Sequence, residues 1–156
     1  MSDLDQRLRE TRIREISLPE PLIVQRGASV RSVVSQMRAG KRSCALICAG
    51  RKIEGLFTER DILNRLSTGA VDLDSAIEGV MTARPKTLGP EDRVATAIKM
   101  MTQQGYRHVP LVDEHGAGVG LLTALDILTY IAEHYPAEVV NLPLKLDQTP
   151  RKAEGG

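Results

Sequence analysis

The sequence predicts an α/β (α+β) fold made of two βαββα repeats, and two observations carry that prediction. The stretch Gly55-Leu56-Phe57-Thr58-Glu59-Arg60-Asp61-Ile62-Leu63 returns as Gly120-Leu121-Leu122-Thr123-Ala124-Leu125-Asp126-Ile127-Leu128. Self-similarity this close marks duplicated supersecondary units. Around both copies, short aliphatic runs alternate with segments whose apolar residues recur every three or four positions, the pattern of strands alternating with amphipathic helices. A chain of 156 residues, 42% of them hydrophobic, suits one domain or one tightly fused pair.

Residues 1–16 are predicted as an N-terminal helix. Ser2 and Asp5 can form a capping box, Leu4, Leu8 and Ile16 fall along one side, and Arg7, Arg9, Arg12 and Arg14 supply basic charge. A solvated helix on the domain edge is expected; a partner-binding helix is the alternative. Pro19 and Pro21 then break the chain before the strand candidate Leu22-Ile23-Val24. Val30, Val33, Val34 and Met37 have the spacing of one helical face, which Gly40 ends. Cys44 to Cys48 reads as a buried strand, Ala49 to Lys52 as a turn, and Ile53 to Phe57 as a second, antiparallel strand. A helix follows from Asp61, with Ile62, Leu63 and Leu66 expected to face inward. The first repeat thus spans 17–68, and 69–79 is a linker leading into a short helix over Ser75 to Met81.

The second repeat, 80–135, follows in step. Pro85 matches Pro21, Thr87-Leu88 matches Ile23-Val24, and Val94, Ala97, Ile98 and Met101 match Val30, Val33, Val34 and Met37. Gly105 to Asp113 then matches Gly40 to Cys48, Val119 to Leu122 is the paired strand, and Ile127, Leu128, Ile131 and Ala132 are the expected inner face of the last helix. In the tail, 136–156, Val139 to Pro143 is a candidate for packing on the body, and the polar end is expected to be disordered.

With no Trp, one Phe and three Tyr, the core must be aliphatic. Residues 21–66 carry nine Lys/Arg against three Asp/Glu, a balance of +6, whereas 85–131 carry four against five, a balance of −1. A basic half suits an anionic ligand or partner, or simply a solvated surface. On one strand, Cys44 and Cys48 would stand about 13 Å apart, too far for a disulfide, and suit buried thiols in a reducing compartment. The polar start, Met1 to Arg14, does not resemble a signal peptide, and no apolar run is long enough to span a bilayer. A cytoplasmic location is expected.

The duplicated corner has two readings. Thr58 with Asp61, and Thr123 with Asp126, can be reciprocal helix caps. A strand-to-helix corner with free N–H groups can also be an anion site, with the Thr hydroxyl on a phosphate and the Asp accepting from ribose hydroxyls. One hydroxyl can serve both roles.

Taken together, Met81-Thr82-Ala83-Arg84-Pro85, the strand Gly105-Tyr106-Arg107-His108-Val109-Pro110-Leu111-Val112-Asp113 and both Gly-apolar-apolar-Thr-x-x-Asp corners resemble a tandem pair of cystathionine-β-synthase (CBS) domains, a Bateman module, over residues 16–134. The resemblance implies two repeats packed sheet to sheet around a pseudo-twofold axis, with two clefts, and dimerisation into a disc. It also implies a non-catalytic regulatory module that binds adenine nucleotides (AMP, ADP, ATP) or S-adenosylmethionine and signals to a partner protein, with no obligatory cofactor. By the family pattern, Asp61 and Asp126 hold ribose, Thr58 and Thr123 contact phosphate, and Arg107 and His108 reach phosphate. The pseudo-twofold packing implies that Thr58 and Asp61 share a cleft with Thr87, Arg107 and His108. Thr123 and Asp126 would share the other with Ile23, Arg42 and Ser43. Repeat one departs from the pattern, with Arg42-Ser43 standing where repeat two has Arg107-His108, Ala45 in place of Pro110 and Ile23 in place of Thr87.

Two other functions compete. For an enzyme, His108, His115 and His134 sit in unrelated contexts, and no Cys-x-x-Cys, His-Glu-x-x-His, Gly-x-Ser-x-Gly or P-loop is present. A nucleic-acid binder could use the arginines of repeat one, but aromatic stacking platforms are lacking.

Overall fold

A computed structural model describes residues 2–69 and 72–137. The candidate packing segment Val139 to Pro143, the polar tail end and part of the 69–79 linker therefore lie outside the described residues. The elements are α1 (Asp3–Glu10), β1 (Ile23–Gln25), α2 (Val30–Ala39), β2 (Cys44–Ala49), β3 (Lys52–Thr58), α3 (Glu59–Ser67), β4 (Thr82–Ala83), α4 (Val94–Gln104), β5 (His108–Val112), β6 (Gly118–Thr123) and α5 (Ala124–His134). In repeat one, β1 runs parallel to β2, and β2 antiparallel to β3. In repeat two, β5 and β6 form the antiparallel pair, while Leu88 makes a single parallel bridge to Leu111 where a first strand was expected. Each repeat is thus the βαββα unit of the sequence reading, with its first strand reduced to one bridge in the second copy.

Alternation along β2 divides the core, because successive side chains of a strand point to opposite faces. Ala45 and Ile47 join Val24, Val30, Val33, Met37, Phe57 and Ile77 under the helices of repeat one. Cys44, Leu46 and Cys48 face the other way, joining Leu56 and packing against Ile53 of the same repeat and Leu121 of the second. The sheets therefore meet along an aliphatic seam.

Equivalent residues of the two repeats touch across that seam. Lys52 bridges Ala117, and Ser43 meets His108 with Oγ to Nε2 at 3.5 Å. Both pairs join residues at the same displacement as the two corners. Contact between equivalent positions is what a twofold axis produces, so these two pairs mark the pseudo-twofold axis.

The N-terminal segment departs from expectation. The predicted helix over 1–16 ends at Glu10, with Thr11 extended, and a short 3₁₀ turn follows at Ile13–Glu15. Likewise the expected helix at Ser75 to Met81 is only a 3₁₀ turn, Ile77–Gly79. These two turns are equivalents, and each docks on the other repeat. Ile13 N–H donates to Asp92 O, and Val94 N–H to Thr11 O, both 2.9 Å. In the mirror arrangement, Ile77 N–H donates to Ala28 O at 2.8 Å and Val30 N–H to Ser75 O at 2.9 Å. Ile13 and Ile77 are both fully buried, so residues 11–16 complete the core of repeat two, and 75–80 that of repeat one. The exchange continues in β4, which pairs antiparallel with β3 at Gly55 and Leu56. There Met81 lies so close to Gly55 that a Cβ would collide with its sulfur. A side chain at Gly55 would force the Met81 thioether to move, so the glycine serves that close approach and not an unusual backbone angle.

Helix orientation is the second correction. Leu63 and Leu66, expected to face inward, are exposed, and α3 has no buried residue. On α5, Ile127 is buried as expected, but Leu128 and Ala132 are exposed and Tyr130 takes an inner place.

Candidate functional site

Both corners form in the same way. In each, the strand ends on a Thr with extended backbone, which caps the next helix. Asp61 N–H donates to Thr58 Oγ1 at 3.3 Å, while Asp61 Oδ2 accepts from Thr58 N–H at 2.9 Å and from its hydroxyl at 3.1 Å. The second copy repeats these bonds at 3.1, 2.8 and 2.8 Å. These are reciprocal capping boxes, in which Asp replaces the usual Glu or Gln. Because one carboxylate oxygen takes both bonds, Oδ1 is left to accept from an outside donor. All four side chains are half-buried.

The corners lie at one end of the pseudo-twofold axis. Glu59 N–H donates to Ser43 O at 3.0 Å, and Ala124 N–H to Arg107 O at 3.2 Å, so each helix start is tied to the residues just before its central strand. The Ser43–His108 contact then joins the two corners. His108 is also the antiparallel partner of Thr123. Burial pushes its imidazole below the ordinary value of 6.5, and Arg107 pushes the same way. The carboxylates of Asp126, Asp61 and Glu59 pull upward. His108 is therefore neutral at neutral pH and answers to carboxylates of both repeats. Cys44, the strand partner of Thr58, is pushed up to about 12 by burial and by the charge of Asp61. It is a packing residue, since reactivity needs the thiolate.

The other expected site residues are positioned by their own repeats. Ile23 pairs with Leu46 and is partly exposed, whereas Thr87 precedes the Leu88–Leu111 bridge and is half-buried. Arg42 is half-buried and Arg107 exposed. A separate groove of about 600 Å³ runs between α1 and α4, lined in part by Asp5, Arg9, Arg93 and Lys99. None of the corner residues lines it.

Glu59 is a residue that sequence reasoning missed. It adds negative charge facing His108, and its signal was its place directly after the capping Thr. The docking turns were missed as well, although Ile13-x-x-Ile16 and Ile77-x-x-Val80 stand at the same displacement as Val30 and Val94.

Two such corners on a duplicated βαββα scaffold define a tandem-repeat α/β module. The CBS domain family model matches residues 13–68 and 77–133, and the chain belongs to that family. Among solved structures it resembles a CBS domain protein from Pyrobaculum aerophilum complexed with AMP, at 26% identity and TM-score 0.70, covering 79% of this chain and 99% of that one. The CBS domain pair of protein MJ0100, in complex with 5-methylthioadenosine and S-adenosyl-L-methionine, shares the fold at 22% identity and TM-score 0.69, covering 78% and 99%. An uncharacterised 17.7 kDa protein of Acidianus ambivalens is 25% identical over 118 residues, 75% of this chain and 71% of that protein. An inosine-5'-monophosphate dehydrogenase of Korarchaeum cryptofilum is 32% identical over 108 residues, but the match spans 69% of this chain and only 21% of that enzyme. The chain thus covers small parts of several longer relatives, 17% of a Schizosaccharomyces pombe protein among them. Among the described residues, no helix is long and apolar enough to cross a membrane.

Proposed function

We propose that this chain is a non-catalytic regulatory module that binds an adenine nucleotide of the AMP, ADP or ATP type in clefts at its two corners. The supporting observation is the pair of half-buried Thr/Asp boxes, each with one carboxylate oxygen still able to accept, set beside cationic and polar side chains. Asp61 and Asp126 accept from ribose hydroxyls, and Thr58 and Thr123 contact phosphate. One cleft takes Thr58 and Asp61 with Thr87, Arg107 and His108; the other takes Thr123 and Asp126 with Ile23, Arg42 and Ser43. The Ser43–His108 contact supports the cross-repeat assignment, since Ser43 O accepts from the residue next to Thr58. The chain works in the cytoplasm as a homodimer and signals to a protein partner. S-adenosylmethionine is the second ligand reading, favoured by the complex of the MJ0100 pair.

A thermal-shift screen against AMP, ADP, ATP, S-adenosylmethionine and NAD tests this. A ligand at a hundred times its dissociation constant adds about 2.7 kcal/mol of stability. Stabilisation by an adenine nucleotide supports the proposal. S-adenosylmethionine acting alone favours the second reading, and no shift with any of them rejects both.

A further inference from the structure

We infer that the groove between α1 and α4 is a further ligand site, built for a small organic phosphate, a phosphomonoester carried on an apolar group. The inference is independent of the nucleotide reading above, since no corner residue lines this groove.

The charge of the groove follows from how the neighbouring carboxylates are used. On α1, Asp3 pairs with Arg7 at 3.0 Å, and Glu10 accepts from the Gln6 amide at 3.3 Å. Asp5 accepts from Ser2 N–H and from its hydroxyl, at 3.2 and 2.9 Å, in the capping box of α1. Ahead of α4, Glu91 takes both Arg12 and Arg14, and Asp92 accepts from Gly89 N–H. Of the four arginines at 7, 9, 12 and 14, Arg9 is thus the one left without a carboxylate among the described residues. It lines the groove with Arg93 and Lys99, which also lack an ion-pair partner among those residues. Asp5 is the one acidic side chain in the lining, so three cations stand against one anion, a balance of +2.

The geometry gives these cations a shared target. Arg93 Nη1 donates to Glu10 O at 2.6 Å, which ties the start of α4 to the end of α1 and fixes that guanidinium beside the groove. Thr96 and Lys99 follow at three-residue intervals along the same face of α4, and Arg9 reaches in from α1. Two guanidinium forks, an ammonium and a hydroxyl suit the several oxygens of one phosphate. A phosphomonoester carries about −1.5 to −2 at neutral pH, which the balance of +2 matches, whereas a carboxylate brings a single charge. Leu8 and Ile98 floor the groove and can cover the organic group. Its volume of about 600 Å³ falls within the range of small-molecule sites, about 300–1,000 Å³.

Titrating the isotope-labelled full chain with phenyl phosphate, read by backbone amide NMR shifts at constant ionic strength, tests the site. Saturable shifts at residues 5–9 and 93–103 are expected. Binding should be about tenfold weaker in the Arg9→Gln, Lys99→Gln double variant. Both replaced side chains are exposed, and unchanged amide shifts outside the groove will show that variant folded. Shifts absent from the groove overturn the site; if they fall only at 58–61 and 123–126, the nucleotide reading stands without it. Equal groove shifts from chloride at the same ionic strength reduce the site to diffuse charge and also overturn it. Benzoate binding as tightly as phenyl phosphate overturns the phosphate class. Wild-type affinity in the folded double variant overturns the role given to the cations.

Discussion

Replacing Ile13 by alanine tests the exchanged packing of the lead-in segments. Ile13 is fully buried in the core of repeat two, together with Val94, Ala97, Leu111 and Leu122, although in sequence it precedes repeat one. Large-to-small changes at such sites cost about 2–5 kcal/mol, from lost transfer energy and the cavity left behind. With a loss of about 3 kcal/mol and a urea slope of about 2 kcal/mol per molar, the unfolding midpoint should fall by roughly 1.5 M. Ile77→Ala removes the equivalent contact under repeat one and should cost about the same. Urea titration followed by circular dichroism reads both. A near-zero shift for Ile13→Ala beside a full shift for Ile77→Ala would refute the exchange, and residues 11–16 would then be a dispensable edge.

Further predictions concern the backbone and the histidine. Lys41 has φ of 52°, in the left-handed region, where the equivalent end of α4 uses Gly105 at φ of 74°. Lys41→Gly removes about 1–2 kcal/mol of strain and adds about 0.5–1 of unfolded-state entropy, so a net gain of about 0.5–1 kcal/mol is expected in thermal unfolding. Because the folded-state pKa of His108 is depressed below 6.5, the unfolded chain takes up that proton first. Its contribution to stability is complete above 6.5 and is lost as pH falls below it; a flatter low-pH stability profile in His108→Gln would confirm this. A bound phosphate favours the charged imidazole, so nucleotide affinity should rise as pH drops below 6.5 in wild type but not in the variant, by calorimetric titration. Asp61→Ala combined with His108→Ala should be non-additive in ligand affinity by about 0.5 kcal/mol or more; strict additivity would confine His108 to the site of repeat two.

The duplicated corners and the periodicity around them made the fold legible, because a strand-to-helix corner repeats its local chemistry wherever the unit recurs. The capping role of Thr58, Asp61, Thr123 and Asp126 was legible for the same reason, being set by contacts within three residues. Ile13 and Ile77 were not, since a three-residue turn has no period and its partners lie on the other repeat. Leu63, Leu66 and Leu128 were misjudged because apolar spacing tells which residues share a helix face, not which face a second surface covers. The Ser43–His108 contact needed the packing of both repeats before it could exist.

Calorimetric titration of the Asp61→Ala, Asp126→Ala double variant with the adenine nucleotide that most stabilises the wild-type chain tests the central claim most directly. On the proposed reading each aspartate accepts a charge-assisted hydrogen bond from ribose, worth about 1.5–3 kcal/mol, so affinity should fall roughly ten- to a hundredfold per site. Losing the caps destabilises both helices as well, so circular dichroism must first show the variant folded at the titration temperature. Weakened binding in a folded variant is the predicted result. Unchanged affinity would contradict it and leave the four corner residues as helix caps alone.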